Sequence, residues 1–206
     1  MEFQILPQRF YLRQDVLLIA RELLGKRLVS HIDGALTAGI ITEVEAYRAP
    51  DDKACHAYGN RRTPRTEVMF RAGGCAYIYL CYGMHHLFNV VTGPEGMAHA
   101  VLIRAIEPVE GLDVMLTRRR QKKLSPQLTT GPGVLSAALG LHKKLSGESL
   151  LSKKGEIWIE NSNLNPTAKD IASSARIGVD YAEECATWPW RFYLKNSNWV
   201  KKTKTR

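Results

Sequence analysis

Glu43 and Glu45 stand two apart in the run Ile-Ile-Thr-Glu-Val-Glu-Ala-Tyr that ends at Tyr47. In an extended strand that spacing puts both carboxylates on one face, about 6–7 Å apart, and Tyr47 continues the face. Ile40, Ile41 and Val44 make the run apolar, and two like charges on a buried face repel unless one is protonated or paired. A solvated strand edge is the plain alternative for such a pair. Tyr77 and Tyr79 repeat the spacing on a second apolar run. Their rings can stack on a flat base at about 1–3 kcal/mol per base, although strands are rich in tyrosine for ordinary reasons. Cys81-Tyr82-Gly83-Met84 sits where this run must reverse. Turn tips normally face water, so an exposed Tyr82 and Met84 read as a wedge into something apolar, such as a base stack. Asn89 and Arg104 interrupt further apolar runs and need partners wherever they are buried. Acids, aromatics, one amide and one arginine seeded into strands point to a pocket for a flat, polar, aromatic ligand.

The stretch from Pro50 to Gly74 is polar and long for a connection, which marks a functional loop. It holds His56 and the run Arg61-Arg62-Thr63-Pro64-Arg65. Arg61, Thr63 and Arg65 suit phosphate oxygens; a solvated charge run is the simple alternative. Gly131-Pro132-Gly133 ahead of a helix offers backbone N–H groups to a phosphate, a weak signal alone. His85 and His86 are adjacent, so on a strand they point to opposite faces and cannot share one ion. No His/Cys/Asp set has metal-ligand spacing, and neither metal nor cofactor is expected.

The elements that must position these groups follow from pattern and composition. The chain has 206 residues, 45% of them hydrophobic, and a net charge of +9. That fits one domain over residues 1–206 with a real core and makes a polyanion the natural partner, nucleic acid ahead of an anionic membrane surface. No apolar run approaches the ~20 residues that cross a bilayer, and no signal peptide is evident. The cysteines lack CxxC spacing; Cys75 and Cys81 read as small buried thiols of a reducing compartment. Asp15 caps a helix whose apolar face is Val16, Ile19, Ala20, Leu23 and Leu24, with Gly25 as the stop. Strands are expected over 27–32 and 36–47, joined by an Asp33-Gly34 hairpin, then over 76–81, 85–92, 98–106, 156–160 and 191–200. Pro108 is expected to open a helix through Leu116, followed by the basic run 118–123, and a second helix should span 134–141. Residues 201–206 read as a frayed basic tail. Hairpin-linked strands argue for an α+β domain on a largely antiparallel sheet.

Taken together these residues resemble the alkyladenine (3-methyladenine) DNA glycosylase family. The similarity runs through Glu43 to Tyr47, Arg61 to Arg65 with Met69-Phe70, Tyr77 to Tyr79, Tyr82 to Met84 and Asn89. It continues through Arg104 to Pro108 with Gly111, Gly131 to Gly133, Ala175 to Val179 and Arg191 to Tyr193, in order over nearly the whole chain. The resemblance implies a single domain with a curved antiparallel sheet, flanking helices and a protruding hairpin that enters the DNA minor groove. It implies a monofunctional enzyme, a monomer acting on double-stranded DNA. Such an enzyme hydrolyses the N-glycosidic bond of 3-methyladenine, 7-methylguanine, hypoxanthine or ethenoadenine and leaves an abasic site. By position it makes Glu45 the general base and Arg104 a holder of the attacking water. Tyr47, His56 and Tyr79 become the base pocket, Asn89 the group opposing the 2-amino group of guanine, and Tyr82 the wedge. The implied compartment is the bacterial cytoplasm and nucleoid, or the nucleus of a eukaryote.

Two other readings compete. A binding module stacking single strands on Tyr77, Tyr79 and Tyr82 explains charge and aromatics but not Glu45, whose charge repels phosphate. A carbohydrate hydrolase using Glu43 and Glu45 as a pair explains the acids but not the basic loops.

Overall fold

The structure is a computed structural model that describes residues 3–201; the expected basic tail lies outside them except for Lys201. Eight strands form the frame among the described residues: β1 Arg27–Ile32, β2 Ala35–Arg48, β3 Ala76–Cys81, β4 His85–Thr92, β5 His99–Glu110, β6 Ile157–Glu160, β7 Ile171–Ser174 and β8 Arg191–Leu194. The helices are α1 Gln8–Tyr11, α2 Val16–Leu23, α3 Leu112–Arg118 and α4 Pro132–Leu139. The strands pair antiparallel in the order β3-β4-β5-β2-β1-β6, with β8 on β2 and β7 on β8. The fold is α+β on an antiparallel sheet, as the alternation of hairpins and helices indicated.

The sheet branches at β2. With 14 residues it is long enough to carry β1 along its first half and β8 along its second. Glu43 and Glu45 therefore lie in the middle of the sheet, between β5 and β8, and the solvated-edge reading of these acids fails. Asp15 caps α2 by accepting from the N–H groups of Leu17 and Leu18. The Asp33-Gly34 turn has positive φ at both residues, 54° and 72°, the backbone a two-residue hairpin needs. One face of the sheet carries the main core, with α2 and α4 packed on Leu28, Ile41, Val44, Ile103 and Ile106. A second apolar cluster on Met69, Phe70, Tyr77, Val91 and Ala100 anchors the 50–74 segment, so this loop has internal order, including two 3₁₀ turns.

Three expectations need correction. Pro108 does not open a helix: it stays in β5, paired with Gly39. Its missing N–H is tolerated because β4 has ended by then and β5 has a neighbour on one side only. The helix starts after Gly111, whose φ of 71° and whose approach to Leu36 O, 2.2 Å from an added Cβ, admit only glycine. The 191–200 strand stops at Leu194. The short elements α1 and β7 carried no sequence pattern long enough to read. Cys81, expected to be buried, is half-exposed, while Cys75 is buried.

Candidate active site

Register builds the site. Tyr77 on β3 pairs with Asn89 on β4, Asn89 with Leu102 on β5, Leu102 with Glu45 on β2, and Glu45 with Arg191 on β8. Directly paired residues share a face, so one row across five strands gathers an aromatic, an amide and an acid far apart in sequence. Two bulges adjust it. Between Glu43↔Ala105 and Val44↔Ile103 the residue Arg104 has no opposite number, and such a bulge re-aims a side chain. Arg104 thereby reaches both acids, donating from Nε to Glu43 Oε1 at 2.8 Å and pairing through Nη1 with Glu45 Oε2 at 3.1 Å.

The two carboxylates are both 0% exposed yet differ in company. Glu43 also accepts from Arg191 Nε at 2.8 Å and from the Lys201 N–H at 2.7 Å. Glu45 accepts from the Tyr47 hydroxyl at 2.7 Å and from the Ile177 N–H at 2.7 Å. Burial, with the Glu45 charge beside it, holds the Tyr47 phenol well above its ordinary range, so it remains a donor. Burial pulls the Arg104 guanidinium down, but Glu45 and Glu43 outweigh it and leave the group above its ordinary value.

These groups back a cavity of about 420 Å³, within the range of small-ligand pockets. Tyr47, His56, Tyr79, Asn89, Arg104 and Ile177 line its wall, and Tyr82, Tyr181 and the Gly131–Val134 turn also border it. The His56 ring stands edge-on to Tyr79, with centroids 4.6 Å apart. Arg65 Nη2 donates to His56 Nε2 at 3.1 Å, and Nδ1 lies 2.8 Å from the Tyr77 hydroxyl. Arginine has no acceptor, so Nε2 is the bare nitrogen and the proton sits on Nδ1. Burial, then the charges of Arg65 and Arg61, pulls the imidazole down to about 4; it is neutral at pH 7. Asn89 donates its amide hydrogens to the carbonyls of Tyr77 at 3.0 Å and Leu87 at 3.3 Å, which fixes its orientation.

The β3–β4 tip projects. Tyr82 is 89% exposed and Met84 71%. Met84 N donates to Cys81 O, closing a turn in which Tyr82 and Gly83 have φ of 50° and 71°. The turn shape suits a hairpin, but tyrosine is a costly residue for its first position.

The basic loop is less free than its composition implied. The Arg65 guanidinium lies over the Tyr79 ring at 4.8 Å as well as against His56. Arg62 pairs with Glu67 and covers Phe70, and the Thr63 hydroxyl is tied to Thr66. Arg61 keeps its side chain exposed. Arg118, at the head of the later basic run, turns to the carbonyls of Ala138 and Ile32. Sequence reasoning placed Ile177 and Arg191 in segments of the resemblance but gave neither them nor Lys201 a role at the acids, since a backbone N–H or a distant arginine gives no local signal. It also missed the role of Gly131: its N–H donates to Arg104 O at 2.8 Å and holds the bulge.

The sequence profile of the methylpurine-DNA glycosylase family matches residues 9–198. A protein of Chlamydia felis, provisionally named a 3-methyladenine DNA glycosylase, is 51% identical over 97% of this chain and 99% of its own length. A Bacillus cereus protein of the same provisional name is 48% identical over 95% of this chain and 98% of its own. A match of this extent, carried by a chain whose pocket is backed by the acid and lined by the tyrosines and the exposed tip, has one consequence: the chain belongs to the methylpurine-DNA glycosylase family.

Proposed function

We propose that this chain removes alkylated and deaminated purines from double-stranded DNA with a water activated by Glu45. As a member of its family it is a hydrolytic DNA N-glycosylase for 3-methyladenine. The observation that carries the finer reading is the setting of Glu45: all three of its donors, Tyr47, Arg104 and Ile177, belong to the wall of the cavity.

A base inside a duplex cannot be attacked while stacked, so it is flipped out, at a cost of a few kcal/mol. Tyr82, on a tip already pointing into solvent, fills the gap and offsets part of that cost. Tyr47 and Tyr79 offer π-faces to the flipped base, and Asn89 opposes the edge where guanine carries its 2-amino group. Bond breaking develops positive charge on the sugar, as in other glycosyl transfers. Glu45 stabilises that charge and takes a proton from water. Its three donors use three of about four lone-pair positions, leaving one for a water held against Arg104.

The leaving base sharpens the substrate class. The purine of 3-methyladenine or 7-methylguanine carries its positive charge into the cavity and leaves neutral, without an acid. Hypoxanthine and ethenoadenine leave as anions unless protonated, and His56, neutral at pH 7, holds no spare acidic proton for them. Cationic purines are therefore the faster substrates. Glu43 is held by two guanidiniums and a backbone N–H as a tie between strands, which disfavours the paired-acid carbohydrase.

The test is release of free base. The protein is incubated, with chelator present, with duplexes bearing 3-methyladenine, 7-methylguanine or hypoxanthine. The expected result is free 3-methyladenine and 7-methylguanine ahead of hypoxanthine, with release by the Glu45→Gln variant about 10²–10⁴-fold slower. Binding without release from any duplex would overturn the reading in favour of a binding module.

A further inference from the structure

Arg176 and Asp52 have no part in the chemistry above, yet they form the most enclosed ion pair among the described residues, with both side chains 0% exposed. The pair is bidentate, Nη1 to Oδ2 at 2.5 Å and Nη2 to Oδ1 at 2.8 Å. The same two nitrogens donate to Ala46 O at 2.9 Å and Cys185 O at 3.0 Å. The guanidinium carbon lies 4.8 Å from the centre of the Tyr47 ring. Asp52 belongs to the segment just after β2, the strand that bears Glu45 and Tyr47, whereas Arg176 belongs to a segment more than a hundred residues later.

Chain connectivity gives the pair its meaning. Arg176 immediately precedes Ile177, whose N–H donates to Glu45 Oε1, and its guanidinium covers Tyr47, whose hydroxyl donates to Glu45 Oε2. Two of the three donors on Glu45 thus hang on one guanidinium. As a device for stability the pair is poor. Burying two charges costs several kcal/mol per ion, and apolar side chains of similar volume often serve as well or better. As a device for placement it is strong, because a bidentate, stacked guanidinium fixes distance and plane together.

We propose that Asp52 and Arg176 are positioning residues, which hold the Ile177 N–H and the Tyr47 hydroxyl on Glu45 without touching the substrate. The inference rests on Glu45 being the general base. A shift of about 1 Å at a reacting group costs about 10²-fold in rate, and that sets the expected effect.

The experiment compares Arg176→Lys, Asp52→Asn and the apolar double variant Asp52→Leu/Arg176→Met with the parent and with Glu45→Gln. Single-turnover excision of 3-methyladenine is read beside the dissociation constant for abasic-site duplex and the urea midpoint. Positioning predicts excision reduced by about 10²-fold in each folded variant, with abasic-site affinity within a factor of two or so of the parent. The double variant regains the parental urea midpoint and stays slow. A double variant that regains both stability and rate would overturn the proposal, as would normal excision in Arg176→Lys. Unfolding of all three variants would mark the pair as structural and overturn it equally. Normal excision by Glu45→Gln would instead remove the underlying assignment of the base, a failure separate from that of the pair.

Discussion

Glu43 and Glu45 share a strand, a face, complete burial and a bond to Arg104, and they still form two different sites. Around Glu43 every partner is a fixed charge or backbone group: the Nε of Arg104, the Nε of Arg191 and the N–H of Lys201. Around Glu45 the partners are one guanidinium nitrogen, a phenol and a backbone N–H, all from residues of the cavity wall, to which Arg104 and Lys201 of the Glu43 set also belong. The first carboxylate ties β2, β5 and β8 and the chain end together. The second lies behind the cavity wall, bonded to Tyr47, Arg104 and Ile177. Burial and charge alone do not distinguish the two acids; the kind of donor does, two guanidiniums on Glu43 against one guanidinium nitrogen and a phenol on Glu45.

The sharpest way to break this contrast is to neutralise each acid in turn. Glu45→Gln is expected to cut excision by about 10²–10⁴-fold, the usual loss of a general base, while lesion-duplex affinity holds or rises because one negative charge near phosphate is gone. Glu43→Gln leaves two buried guanidiniums under-compensated and should cost about 3–5 kcal/mol of stability, read as a drop in the urea midpoint. If Glu43→Gln is as stable as the parent and loses excision, while Glu45→Gln cleaves normally in single turnover, the two roles must be exchanged.

Tyr82 extends the contrast from the acids to the hairpin. Its φ of 50° suits asparagine far better than tyrosine, so a structural requirement would have placed another residue there. Tyr82→Asn is expected to keep or slightly raise thermal stability while lowering the flipped fraction of a fluorescent lesion base, since unstacking costs a few kcal/mol that the wedge offsets in part. Equal flipping by variant and parent would leave the tip without its role.

A smaller effect is expected where the pocket chooses among purines. Guanine differs from hypoxanthine by one amino group, and rejection by clash or an unpaired donor is what an oriented amide can supply. Asn89→Ser opens that corner. Excision of mismatched guanine relative to hypoxanthine should rise by about 10–100-fold, the scale of one small group in a pocket. A folded variant with the parental ratio would move discrimination elsewhere, because Asn89 would then serve only to tie β3 to β4.

How much of this was legible in the sequence depends on range. The α2 cap, the Asp33-Gly34 turn and the central strands were readable because their signals are local. Glu45, Tyr79 and Tyr82 stood out as polar or aromatic residues where apolar or turn residues belong. Pro108 misled, because its helix-opening habit is local while its place on a one-sided stretch of β5 is set by where β4 ends. Arg176, Ile177 and Arg191 lay in segments that carried the resemblance, yet their roles, and the pairing of Arg176 with Asp52, were unreadable for the same reason. Their function exists only through register and chain return, and the bulge at Arg104 is a property of two strands together.

The last prediction is the smallest and concerns the His56 ring, which stands edge-on to Tyr79 in the pocket wall. If Glu45 is the only proton acceptor needed and no acid is supplied to the base, His56 must stay neutral when folded. Burial and Arg65 set its folded value at about 4, against about 6.5 in an unfolded chain. Between those values the unfolded chain binds a proton at His56 that the folded chain refuses, so stability must fall as pH falls through this window. The full contribution is present above about pH 6.5. His86 and His99 are also held below their ordinary values by burial, so the parent alone does not isolate His56. The comparison with His56→Gln, which keeps a donor toward Tyr77, does. Between pH 7.5 and 4.5 the variant should lose less of its urea midpoint than the parent. Identical losses would mean that His56 titrates normally while folded. It could then protonate a departing neutral purine, and the preference for cationic substrates would lose its physical basis.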